Sequence, residues 1–137
     1  MNVVLSHASL TLAGILLVAI VTIESGGWYM LQIVQGRRAL TPFQQAFARA
    51  GHAHAGVLVT LALVCQLFVD AAGLNGFVEV LARDGVAAAA ILMPAGFFFS
   101  SLGRDVTRPN KFIALVYAGA VSLAAGVLAL GVGLLTV

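Results

Sequence analysis

Charge is scarce in this chain. Of its 137 residues, 9% are charged, seven basic and five acidic, while 61% are hydrophobic. Soluble domains are about half apolar and about a quarter charged, so a soluble globular domain is excluded. A disordered chain needs low hydrophobicity and is excluded with it. Cysteine is represented by Cys65 alone, which rules out a disulfide scaffold. There is no glycine-rich phosphate loop, no paired-cysteine zinc motif and no histidine-glutamate metalloprotease motif. What is abundant is apolar surface: the mean hydropathy is +1.07, the signature of an integral membrane protein.

A spanning helix needs about 20 mainly apolar residues. Four segments qualify, at about 3–34, 47–69, 85–102 and 112–137. They are continuous apolar runs without the alternation of a strand barrel. The expected fold is an all-α, four-helix transmembrane bundle in a single domain. The first segment lacks a basic n-region and is too long for a signal-peptide core, so it is expected to stay as the first span. Arg37, Arg38 and Arg49 cluster around the first connection, and Arg104, Arg108 and Lys111 around the third. The positive-inside rule puts both connections in the cytoplasm. Both termini are then extracytoplasmic, and the membrane is expected to be the plasma (inner) membrane. Trp28 and Tyr29 fall at the inner interface, where amphipathic rings are favoured. The arginines form no stripe, so the net charge of +2 reads as a topology signal, and no nucleic-acid partner is expected.

Local punctuation refines the boundaries. Thr41-Pro42-Phe43-Gln44 has the form of a capping box with proline at the first helical position, so the second helix starts ahead of its apolar run. Gly73-Leu74-Asn75-Gly76 ends it. Val78 to Arg83 suggests a short amphipathic helix on the outer surface. Pro94 is expected to kink the third helix, and Arg108-Pro109-Asn110 separates the third from the fourth. Ala114, Ala118, Ser122 and Gly126 form one small-residue row on the fourth helix; Ala125, Ala129 and Gly133 form another. Such rows let helices approach closely, within the subunit or between subunits. A homo-oligomer or a partner membrane subunit is therefore expected beside the lipid bilayer itself.

The polar residues inside the apolar runs are costly to place and carry the functional information. Glu24 is one: a charge at membrane depth costs at least about 2.5–3.5 kcal/mol. It fits a proton carrier or ligand, and equally a protonated or ion-paired side chain ahead of Gly26-Gly27. His52 and His54 are the others, set among Gly51, Ala53, Ala55 and Gly56. Residues two apart on a helix point about 200° away from each other, so the two rings should face different neighbours. With helix 1 running inward and helix 2 outward, Glu24 and the histidines share a level. A Glu24–histidine contact is the sharpest structural expectation, since it would offset the cost of both groups. His7, Thr11, Gly14, Thr22 and Ser25 form a polar row on helix 1; His52, Gly56, Thr60 and Asp70 form one on helix 2. These rows fit a wet path, or interhelical hydrogen bonds. Asp70 is expected near His7 at the outer end. Cys65 reads as a small buried apolar residue.

The stretch Arg49 to Val59, RAGHAHAGVLV, resembles a motif of small membrane proteins related to heme-copper oxidase subunit I. There a helix carries His-Ala-His followed by small and apolar residues. The resemblance spans about 11 of the 137 residues. It implies that His52 or His54 is an axial heme ligand. The copper-site histidines of that superfamily have no counterpart in this chain, so oxygen reduction is not implied.

Three functions are carried forward. The first is a heme- or transition-metal-binding membrane protein, with His52 and His54 as ligands and Glu24 as a ligand or a partner to one. The second is a proton-linked transporter or small channel using the same residues along a path with His7, Thr11, Thr60 and Asp70. The third is a non-catalytic accessory subunit that docks through helix 4.

Overall fold

The computed structural model describes residues 4–136. It contains four α-helices: α1 (His7–Val34), α2 (Pro42–Ala72), α3 (Gly76–Ser100) and α4 (Ala114–Leu135), with a 3-10 turn at Lys111–Ile113 leading into α4. The helices run alternately up and down. Ser6 ahead of α1 meets Asp70 near the end of α2. Gln44 at the start of α2 meets Ser101 and Gly103 beyond α3. Gly133 near the end of α4 packs against Leu74 ahead of α3.

α1, α2 and the stretch 111–135 are each long and apolar enough to cross a membrane, which is consistent with a multi-pass integral membrane protein. α3 is not among them; Glu79, Arg83 and Asp84 lie toward its start. This corrects the outer surface helix expected at Val78–Arg83. The segment is the first part of α3, which starts at Gly76 and ends at Ser100. The helix continues through Pro94. The sequence suggested an amphipathic surface helix because the charges sit beside apolar residues. The structure instead turns Arg83 inward, where partners on two other helices receive it.

Several starts and stops follow local chemistry. The Thr41 hydroxyl accepts from the Gln44 amide, and the Gln44 side chain accepts from the Thr41 amide, closing the capping box. α2 ends at Gly73, whose φ of 60° is a left-handed cap that glycine adopts without a Cβ clash. α3 is the centre of the bundle. It packs on α4 and α2, while α1 packs chiefly on α2. α1 stands off from α3 enough to leave an apolar crevice of about 460 Å³ walled by Leu16, Ile23, Val59, Ala87 and Ile91.

The α3–α4 seam is built from glycine. A Cβ on Gly85 would lie 2.8 Å from the Gly126 Cα, and one on Gly96 would lie 2.6 Å from the Val116 nitrogen. The Ser122 hydroxyl crosses the seam to the Gly85 carbonyl at 2.8 Å. Small residues on the fourth helix thus serve packing within the subunit, as the close-approach reading of these rows requires. Its contact line runs through Gly119, Gly126, Leu130 and Gly133, all buried, while Ala114 and Ala118 are exposed.

A methyl group forced into this seam costs about 1–3 kcal/mol of overpacking. Gly85→Ala is therefore expected to lower the thermal midpoint of the purified protein in detergent. Gly131→Ala, where nothing lies within 4 Å of the added Cβ, is expected to leave it unchanged or raise it through helix propensity.

Candidate functional site

Arg83 is 6% exposed and joins three helices at one end of the bundle. One terminal amino group donates to the Ser9 hydroxyl of α1. The other donates to Asp70 Oδ1 of α2 and to Glu79 Oε1 one turn back on α3, both at 2.9 Å. Gln66, 1% exposed, donates to the Arg83 carbonyl at 3.0 Å and to the Ala62 carbonyl at 3.1 Å. Asp70 Oδ2 accepts from the Ser6 amide at 2.8 Å, which ties the start of α1 to the end of α2. Among the described residues no buried side-chain nitrogen or oxygen lacks a partner. A buried charge is tolerated on that condition. Asp70 does lie at the end of the bundle expected for it, but its partners are Ser6 and Arg83. His7 is exposed and meets Thr11 at 3.4 Å.

The histidine pair splits as helix geometry requires. His52 turns to α1 and lies against Gly26 and Gly27. A Cβ on Gly26 would sit 3.1 Å from His52 Nδ1, so the glycine pair makes room for this ring. His54 turns to α3, where its ring packs on Phe97 at 5.0 Å between centroids. His54 Nδ1 lies 2.7 Å from the Ala50 carbonyl. A carbonyl only accepts, so Nδ1 carries a proton.

Glu24 is exposed on α1. It lines a shallow, open groove of about 550 Å³ with Ile20, Ile23, Trp28, Leu31 and His52. Glu24 and His52 therefore share one groove, as their common level suggested. Among the described residues no hydrogen bond or ion pair joins Glu24 to either histidine. Nor are any three His, Cys, Asp or Glu side chains there grouped to hold a metal ion.

The polar rows resolve into local bonds. The Thr22 hydroxyl donates to the Ala19 carbonyl and that of Ser25 to the Thr22 carbonyl. Thr60 donates to the Gly56 carbonyl at 2.9 Å. Thr11, Thr22, Ser25 and Thr60 are all exposed, so they satisfy their hydroxyls on their own helices. Cys65 is buried at 2% exposure, as its apolar reading required. The sequence reading missed Gln66 and the burial of Arg83. The available signals were Gln66 and Asp70 four residues apart on α2, matched by Glu79 and Arg83 four apart on α3.

Comparison with family models, with curated proteins and with solved structures gives no match.

Breaking a buried ion pair by removing one partner costs about 3–5 kcal/mol. Arg83→Met is expected to lower resistance to detergent-induced unfolding by that order. Adding Asp70→Asn to it should restore part of the loss, because the stranded carboxylate is then neutral. Equal stability of wild type and Arg83→Met would show that the network does not hold the helices.

Proposed function

We propose that this chain is a four-span, non-catalytic subunit of the plasma (inner) membrane, with both termini extracytoplasmic. In this reading it assembles with a second copy of itself through the outer face of α1. The observation that carries the reading is Glu24, exposed on an apolar helix beside His52. α1 has 28 residues and is about 42 Å long, against about 30 Å of hydrocarbon. Centred in the bilayer, it would hold Glu24 about 10 Å inside the nearer boundary of the hydrocarbon. A carboxyl group left against lipid there is costly. Covering it with a polar partner lowers that cost, and the groove supplies one: a two-fold axis sets Glu24 of each copy facing His52 of the other. Arg83 supports the fourth span and the orientation. Its charge is neutralised within the bundle, so the exposed cations that set topology all lie at the opposite end.

An interhelical hydrogen bond in a membrane contributes about 0.6 kcal/mol on average and up to about 1.7. Glu24→Leu removes a pair of them from a symmetric dimer and is expected to weaken association about tenfold. Single-molecule photobleaching of labelled protein in liposomes across a range of protein-to-lipid ratios reads this directly. A wild type that stays monomeric at every ratio would sink the proposal.

A second reading is favoured by one observation, the bond from His54 to the Ala50 carbonyl. Metal-ligating histidines usually fix their second ring nitrogen on such an acceptor. Here that would leave Nε2 of His54 for heme iron or another transition metal. The expected result is a Soret band in protein purified after expression with heme supply, lost in His54→Ala and kept in His52→Ala. Its absence, with no transition metal on elemental analysis, removes this reading.

A further inference from the structure

The end of the bundle that carries the α1–α2 and α3–α4 connections combines an apolar groove with an excess of positive charge. The groove, about 500 Å³, lies where α1, α2 and the segment after α3 meet. Tyr29, Leu40, Ala48, Phe98 and Leu102 supply its apolar wall, and Gln44 and Gly103 lie at its floor and rim. The floor is fixed: the Gln44 side-chain amide donates to the carbonyls of Ser101 at 3.0 Å and Gly103 at 2.9 Å. The Thr41 hydroxyl holds the Val106 carbonyl. Arg38 stands over one wall, with its guanidinium carbon 5.7 Å from the centre of the Tyr29 ring. Its Nε donates to Gln32 at 2.9 Å, which holds the fork in place and leaves the terminal amino groups available. Arg104, exposed, is the next residue in the chain after the lining residue Gly103.

Among the described residues, this end exposes Arg37, Arg38, Arg49, Arg104, Arg108 and Lys111 against the one carboxylate Asp105. The other end carries Asp70, Glu79 and Asp84 with Arg83. We propose that this groove binds one anionic phospholipid, its phosphate held between Arg38 and Arg104 and an acyl chain lying along Tyr29, Leu40, Phe98 and Leu102. The apolar wall and the excess of cations at this end select that occupant. A free phosphate would use only the cations, and a zwitterionic lipid gains less from the charge excess. Basic hollows between spanning helices are a recurrent headgroup site, and a cation near the headgroup adds about 1 kcal/mol. The proposal does not depend on assembly through α1.

The experiment is native mass spectrometry of the delipidated full chain in detergent, titrated with dioleoyl phosphatidylglycerol or dioleoyl phosphatidylcholine. Phosphatidylglycerol is expected to bind at least about fivefold more tightly, and Arg38→Gln or Arg104→Gln to lose about fivefold each. Millimolar inorganic phosphate should leave the bound lipid in place. Three results would overturn the proposal. One is equal binding of the two lipids. Another is displacement by phosphate, which would mark a headgroup site without a chain groove. The last is an equal loss in Arg108→Gln with Lys111→Gln, which would mark diffuse attraction to the surface. Arg38 is exposed, so its replacement leaves the packed interior untouched.

Discussion

The bundle depends on one buried charge. Arg83 has to be neutralised and hydrogen-bonded to lie where it does, because an unpaired guanidinium in an apolar interior costs several kcal/mol. Its requirements draw in Ser9 from α1, Gln66 and Asp70 from α2, and Glu79 from its own helix. Apolar packing in lipid has no direction of its own, since acyl chains are as apolar as leucine. A polar knot supplies what packing lacks, a fixed register among three helices. The Ser6 amide on Asp70 extends the knot to the first residue ahead of α1.

The opposite end is set in a different way. There Gln44 serves both as a capping residue for α2 and as a clamp on the carbonyls that α3 leaves behind at Ser101 and Gly103. Between the two ends the helices rely on shape. The Gly85–Gly126 and Gly96–Val116 approaches bring α3 and α4 backbone to backbone, and Gly26 and Gly27 admit the His52 ring between α1 and α2. α1 contributes few buried residues, Ser9, Leu16 and Ile33. It is therefore the helix with most surface left for lipid or a second copy.

What the sequence made legible was local. The capping box at Thr41, the glycine stop at Gly73 and the divergence of His52 from His54 depend on residues within a turn or two, and each follows from helix geometry. Glu24 and His52 could be placed in one groove because two adjacent antiparallel helices share levels. Whether they touch depends on rotation about each helix axis, which a uniformly apolar pattern does not encode. Arg83 was misread for a related reason. Ser9 lies 74 positions before it in the chain, so nothing near Arg83 announces that its charge has been provided for. Its bond with Glu79, four residues away, looks the same on a surface helix as in a core. The hydroxyls of Thr22 and Thr60 bond carbonyls of their own helices, and in a sequence a back-bonded threonine leaves the same trace as one that bonds another helix or lines a path.

The position of Arg83 along the chain also bears on how the molecule is made. α3 is the helix with the weakest case for leaving water by itself, and its guanidinium is the main obstacle. Synthesis delivers Ser9 first, then Gln66 and Asp70, and only then Arg83. By the time the third helix is made, three of the residues that receive its charge already exist on the first two, and Glu79 comes with α3 itself. The order of the helices thus sets the order in which the partners of this charge are made. In a permuted order with α3 first, Glu79 alone would accompany the arginine, and Ser9, Gln66 and Asp70 would follow it.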